Sequence, residues 1–186
     1  MSHPLEIQAG GILGPLMIRP RQFGDDRGVF AETWRQEQFE EAIGQSVVFV
    51  QDNESVSGLG VLRGLHFQVP GRAQGKLVRV VRGSALDVAV DLRKSSPTYG
   101  QHQTAMLTGE NRWQFWVPPG FAHGFLTLEP DTVFCYKCTD TYSPEHERSL
   151  RWNDPTLRID WGMEQPLLSP KDKQAPLFAD FDSPFE

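Results

Sequence analysis

Cysteine is scarce: the 186 residues contain two, Cys135 and Cys138, in "CYKC". A disulfide scaffold needs more, and a four-ligand zinc site needs a second pair that the chain does not have. "TVFCYKC" alternates as a strand, which sends the two thiols to opposite faces, so two reduced cysteines are expected. Positive charge is also short. Eighteen Lys and Arg stand against twenty-four Asp and Glu, a net charge of −6, which is the wrong sign for tracking a phosphate backbone. No nucleic-acid partner is expected, although a few local arginines suffice for one anionic small molecule. No apolar run approaches the roughly 20 residues of a membrane span, and "MSHPLEIQAGG" lacks a basic stretch leading into an apolar one. A cytoplasmic protein without membrane contact is expected. "GLGVLRG" has the wrong spacing for a dinucleotide loop, and no P-loop or nucleophile elbow occurs, so any chemistry falls to ordinary side chains.

What is present is a series of short alternating or apolar runs punctuated by Gly, Pro, Asn and Asp, with no repeat, low-complexity block or long linker. This pattern predicts one all-β domain over residues 1–186, a sandwich or barrel. Such a length buries most of what the unfolded chain exposes and needs no staple. The strands expected are "VVFVQ", "KLVRVV", "ALDVAVDL", "QTAMLT", "WQFWV", "GFLTL" and "TVFCYKC". "KLVRVVRGSALDVAVDL" reads as a hairpin turning at Arg82, Gly83 and Ser84. One peripheral helix is expected near "TWRQEQFEEAIG", with Thr33 as N-cap, Phe39, Ala42 and Ile43 on one stripe and Gly44 as the stop. The proline-bearing tail from about Met163 should be mostly irregular, wrapping the barrel and free to deliver a side chain.

"RGLHFQ", Arg63 to Gln68, sets a guanidinium and an imidazole close together, and "PPGFAH" adds His123. The latter resembles the cupin superfamily, which implies a jelly-roll β-barrel with short peripheral helices. Metal-binding cupins carry His-x-His followed by a carboxylate. Here Gln68 stands in place of the second histidine, and the carboxylate region reads "GRAQGKLVRVVRG". Gln is a poor transition-metal ligand and Lys76 is cationic, so no bound metal is expected. His3, His102 and His146 fall in a tail and in polar loops and do not complete a ligand set.

Nearly the whole chain, in order, resembles the dTDP-4-dehydrorhamnose 3,5-epimerase family: "FGDDRGVFAETW", "VQDNESVS", "VLRGLHFQ", "GKLVRVVRGSALDVAVDLRKSSPTYG", "VPPGFAHGF", "YKCTDTYSPEHERSLRWNDP" and "LSPKD". The resemblance implies a metal-free, cofactor-independent cupin. It would act as a homodimer with exchanged N-terminal strands on a dTDP-4-keto-6-deoxyhexose. It also implies the roles. His66 is the base, an apt one because imidazole titrates near pH 6.5, and Asp172 is its dyad partner. Lys76 stabilises the enolate, and Tyr136 is the proton donor on the opposite face. Arg27 and Arg63 match the grip on diphosphate and sugar. Glu32, Gln51, Asp52, Asn53, His123 and Glu147 match further substrate contacts.

The residues' own patterns agree in part. On "KLVRVV" Lys76 shares a face with Val78 and Val80 and should point into the barrel; on "TVFCYKC" Tyr136 shares one with Phe134 and Cys138. In a regular strand, however, Arg63 and His66 face opposite ways, and a bend at Gly64 is needed to bring both to one site. Phe23 and Phe30 are open between stacking on thymine and packing in the core. Three other functions remain in view: an epimerase that inverts C3 or C5 alone, a cupin that binds a nucleotide sugar without catalysis, and a metal-dependent cupin oxygenase.

Overall fold

Strand alternation decides which side chains the barrel encloses. The computed structural model describes residues 5–186. Among these residues the chain runs through β1 (Glu6–Ala9), β2 (Leu16–Arg19), β3 (Gln22–Asp25), β4 (Gly28–Ala31), α1 (Gln36–Ile43), β5 (Gln51–Ser57), β6 (Leu62–Gln68), β7 (Lys76–Arg82) and β8 (Ser84–Asp91). It continues through β9 (His102–Thr108), β10 (Gln114–Val117), β11 (Phe121–Thr127), β12 (Thr132–Cys138), β13 (Glu147–Ser149) and a short α2 (Pro170–Lys173). Two antiparallel sheets face each other, ordered β1-β2-β10-β7-β12-β5 and β13-β6-β11-β8-β9, while β3 and β4 form a separate hairpin. This is the expected cupin-type jelly roll with short peripheral helices.

β8 shows how the sequence builds the layers. Leu86, Val88 and Val90 point outward into a cluster with Leu62, Phe67, Leu126 and Trp161, which the C-terminal segment covers. Ala85 and Ala89 point inward with Val78, Val80, Phe125 and Phe134. The inward residues are small, which leaves room inside for Asp87 between them. Phe125 and Phe134 stack at 3.8 Å between ring centroids within that inward cluster, and Phe125 lines the interior cavity.

Three local expectations are corrected. The stretch Lys76–Asp91 is not a hairpin: β7 pairs with β10 and β12, whereas β8 pairs with β11 and β9. Gly83, at φ +80°, turns the chain from one sheet to the other, and a Cβ there would lie 2.5 Å from Thr132 Oγ1. Alternation on both sides of a glycine is shared by a hairpin and a corner, and here the inward faces meet across the barrel. "VVFVQ" is not a strand before Gln51, because Val47 and Phe49 pack toward α1 and Trp116. The strand instead continues through the polar "QDNESVS". Thr33 is not the N-cap: α1 starts after Arg35 without a side-chain cap, and the Thr33 carbonyl accepts from Gln114 Nε2 at 2.7 Å. Gly44, at φ +70°, ends the helix as expected.

Candidate active site

Lys76 from β7, His123 from β11 and Tyr136 from β12 project into the barrel by the same alternation that buries their valine and phenylalanine neighbours. His66 joins them through an irregularity. Opposite β11, His66 pairs with His123 and Arg63 with Phe125, so three steps along β6 answer two along β11. The extra residue is a bulge, and it reverses the alternation that would set Arg63 and His66 on opposite faces. Gly64 makes it possible. Its φ is +130°, and a Cβ there would meet Gly124 Cα at 2.5 Å. The expected bend at Gly64 is present, and Arg63, His66, Lys76, His123 and Tyr136 line one cavity of about 600 Å³. That volume suits a small ligand.

The C-terminal segment supplies the rest of the wall with Leu167, Leu168, Ser169 and Asp172. Asp172 Oδ1 lies 2.6 Å from His66 Nε2; the carboxylate side chain is only 3% exposed, the imidazole 29%. A proton on Nε2 donated to Asp172 leaves the lone pair on Nδ1, the arrangement a general base needs. Burial works against the Asp172 charge, but the hydrogen bonds from His66 and Ser169 hold its carboxyl below the usual carboxylate range. Burial pulls the Lys76 ammonium down, against the pull of Cys138, Asp87 and Glu147. Such a lysine gains by acquiring an anion. Burial also raises the Tyr136 phenol, which keeps it protonated and able to donate.

A second arm of the cleft, about 330 Å³, shares His66, Lys76 and Tyr136 and is lined by Gln51, Asn53, Cys138, Tyr142 and Glu147. Gln51 Nε2 donates to Asn53 Oδ1 at 3.1 Å, and its Oε1 accepts from Tyr142 N at 2.8 Å. Glu147 Oε2 accepts from the Tyr142 hydroxyl at 2.8 Å and from Lys171 Nζ at 2.5 Å.

Of the residues singled out in the sequence, Gln51, Asn53, Arg63, His66, Lys76, His123, Tyr136, Glu147 and Asp172 therefore gather in one branched cleft. Asp52 does not: it lies on the outer face, paired with Lys137 at 2.8 Å. Arg27 and Glu32 also stand apart. Arg27 is exposed on the β3–β4 hairpin and bonds Asp25, and Glu32 bonds Arg35. Phe30 is 68% exposed and Phe23 38%, so neither is a core residue of this chain. Gln68, at the would-be metal position, spends its amide on the carbonyls of Arg72 and Thr141 and the Ser143 N–H. Among the described residues no three His, Cys, Asp or Glu side chains cluster in a manner that could hold a metal.

Asp87 was missed in the sequence. Both its oxygens meet His123 Nε2, at 2.9 and 3.0 Å, and both residues are buried. Burial raises the Asp87 carboxyl and His123 opposes that rise. The available signal was "ALDVAVDL", where an aspartate holds an inward register between two alanines.

The fold and this interior set define a cupin-type barrel whose cleft is lined by two histidines, each bonded to an aspartate, together with a lysine and a tyrosine. A family model, dTDP-4-dehydrorhamnose 3,5-epimerase, matches residues 10–180, and the chain belongs to that family. A dTDP-4-dehydrorhamnose 3,5-epimerase of Pseudomonas aeruginosa is 56% identical over 168 residues, 90% of this chain and 92% of that protein. A crystal structure of a Legionella pneumophila dTDP-6-deoxy-D-glucose 3,5-epimerase in complex with dTDP-4-keto-L-rhamnose superimposes with a TM-score of 0.92. It is 49% identical and covers 96% of this chain and 95% of that one. A dTDP-4-dehydrorhamnose 3-epimerase of Streptomyces niveus is 42% identical over 170 residues, 91% of this chain and 82% of that protein.

Proposed function

We propose that this chain inverts C3 and C5 of dTDP-4-dehydro-6-deoxy-D-glucose, giving dTDP-4-dehydro-L-rhamnose. The observation that carries the reading is one cavity holding a carboxylate-oriented imidazole, a partly buried ammonium and a phenol. A ketone at C4 acidifies the hydrogens at C3 and C5. His66 takes one of them through Nδ1, and Asp172 stabilises the imidazolium that forms. Negative charge moves to the C4 oxygen, where Lys76 receives it. Tyr136 then returns a proton to carbon from the opposite face and inverts the centre. In this reading Arg63, which lines the cavity, holds the diphosphate, while Gln51, Asn53, His123 and Glu147 contact the rest of the substrate. The test is incubation with dTDP-4-keto-6-deoxy-D-glucose and proton NMR of the sugar ring. The L-configured product is expected; unchanged substrate would contradict the reading.

We also propose that the enzyme is a cytoplasmic homodimer whose β3–β4 hairpins exchange, so that Arg27 and Glu32 complete the partner's cleft. The separate hairpin, its exposed Val29 and Phe30, and the distance of Arg27 from its own cleft support this. Two free cysteines suit the location. In such a dimer each site takes His66 from one subunit and Arg27 from the other. Mixing inactive Arg27→Ala and His66→Asn subunits then restores activity, because each mixed dimer contains one intact site. A fully active monomer in sedimentation, or no recovery on mixing, would refute the exchange.

A further inference from the structure

The residue that orients His66 is itself unusually placed. Asp172 sits on α2, a single turn of four residues in an otherwise irregular tail, and a helix this short has no stability of its own. Something must fix the carboxylate to better than an ångström if it is to hold an imidazole in register. Three contacts fasten the turn. Asp172 bonds His66, Lys171 bonds Glu147 on β13, and Ser169 bonds Asp172 twice.

The Ser169 contacts differ in kind from the other two. As N-cap, Ser169 accepts the Asp172 N–H on its Oγ at 3.1 Å, which sets the backbone of residue 172. The same hydroxyl donates its proton to Asp172 Oδ2 at 2.8 Å, which sets the side chain. With Oδ1 committed to His66, the carboxylate has one donor on each oxygen and almost no water. The carboxylate plane is thereby defined by its two partners, and so is the line along which His66 is held.

We propose that Ser169 is a positioning residue for the epimerase reaction, acting through Asp172 to hold His66 in the tautomer and orientation of a base. Without its hydroxyl, Asp172 Oδ2 is buried with no donor, and the carboxylate is free to rotate and offer His66 either oxygen. The base then spends less time aimed at carbon. Substrate affinity, set by Arg63 and the second arm of the cleft, is untouched. The inference rests on the proposed epimerase activity, and turnover by the unmodified enzyme is the control that separates a failure of that activity from a failure of this role.

The experiment is steady-state kinetics of the full-length enzyme with dTDP-4-keto-6-deoxy-D-glucose for Ser169→Ala, Ser169→Gly and Ser169→Thr. Glycine is tolerated at an N-cap almost as well as serine, so Ser169→Gly keeps the turn and removes the hydroxyl. Alanine and glycine variants are expected to lose about 10- to 100-fold in kcat, the scale seen when an outer partner of a functional histidine is removed, with KM changed less than about threefold. Threonine, which keeps the hydroxyl, is expected to restore most of kcat. In an Asp172→Asn background, Ser169→Gly is expected to cost less than about twofold further, since the residue it acts through is gone. Undiminished kcat in Ser169→Gly would overturn the proposal. So would a KM rise at constant kcat, which would make Ser169 a substrate contact, or an equal loss in the Asp172→Asn background.

Discussion

Replacing Gly64 with alanine should unfold part of the protein's margin and dismantle the site together. The backbone there is at φ +130°, a region that costs a side-chain-bearing residue about 1–3 kcal/mol. The added methyl would also stand 2.5 Å from Gly124 Cα and 2.8 Å from the His123 carbonyl oxygen. These are backbone atoms of the neighbouring strand, which cannot swing aside as a flexible side chain can, and overpacking of this kind costs about 1–3 kcal/mol more. The sum, about 2–6 kcal/mol, corresponds to a fall in Tm of about 5–20 °C for a domain of this size. Function should fall further than stability. If β6 relieves the clash by losing its extra residue, Arg63 and His66 return to opposite faces, and a displacement near 1 Å already costs about 100-fold in rate. Gly11→Ala is the control, because nothing lies within 4 Å of a Cβ there and its φ is not in the left-handed region. It should stay within about 0.5 kcal/mol of the parent. The assay is urea denaturation beside kcat/KM at a temperature where both variants are folded. A Gly64→Ala protein within 0.5 kcal/mol of the parent and fully active would refute the argument that this glycine builds the site.

His66→Asn should abolish both product and solvent exchange at C3 and C5, read by NMR, because an asparagine amide cannot take a proton from carbon; exchange that persists would move the base to His123, which Asp87 holds by the same Nε2 bond. Tyr136→Phe should lose inversion by about 10²- to 10⁴-fold yet retain some exchange with retention from the His66 side; undiminished inversion would make Tyr136 a packing residue. Asp91, wholly buried, accepts from Arg93, Ser96 and Thr98, and these bonds outweigh burial to hold its carboxyl below the usual range. A depressed folded pKa means that this stability is present above the unfolded value of about 3.9 and is lost as pH falls through the folded value. Asp91→Asn should therefore cost at least about 2 kcal/mol at pH 7 and flatten the loss of stability below pH 4 in acid titrations followed by circular dichroism. An unchanged acid slope would count against it.

Much of the fold is legible in the sequence because short apolar or alternating runs bounded by turn residues mark the strands: Thr132–Cys138 and Lys76–Arg82 come out almost to the residue. Two kinds of error share one cause, that pattern is local. The glycine at 83 satisfies a hairpin and a sheet-to-sheet corner equally, and only the pairing of distant strands separates them. β5 is hidden because its inward face, Gln51, Asn53 and Ser55, borders the cleft and so is polar, while the apolar run before it serves α1. Lys76 and Tyr136 followed from register once the family resemblance named them, and His123 came from the resemblance alone. The conjunction of Arg63 with His66 needed the bulge, which Gly64 signals without fixing. Asp87 and Ser169 belong to the layer behind the reacting groups, where recognition depends on which strands and which segment of the tail come to lie alongside. Arg27 and Glu32 stand apart from their own cleft, paired with Asp25 and Arg35, and the proposed exchange between subunits is the arrangement that would bring them to one.

The most direct test of the central claim is turnover of dTDP-4-keto-6-deoxy-D-glucose in heavy water, with the deuterium located in the product by NMR. Base and acid on opposite faces of one enolate-forming cleft predict deuterium at both C3 and C5, each with inverted configuration. Label and inversion confined to one carbon would show that the cleft presents only one centre to His66 and Tyr136. Inverted product without deuterium would contradict proton abstraction and return by these residues altogether.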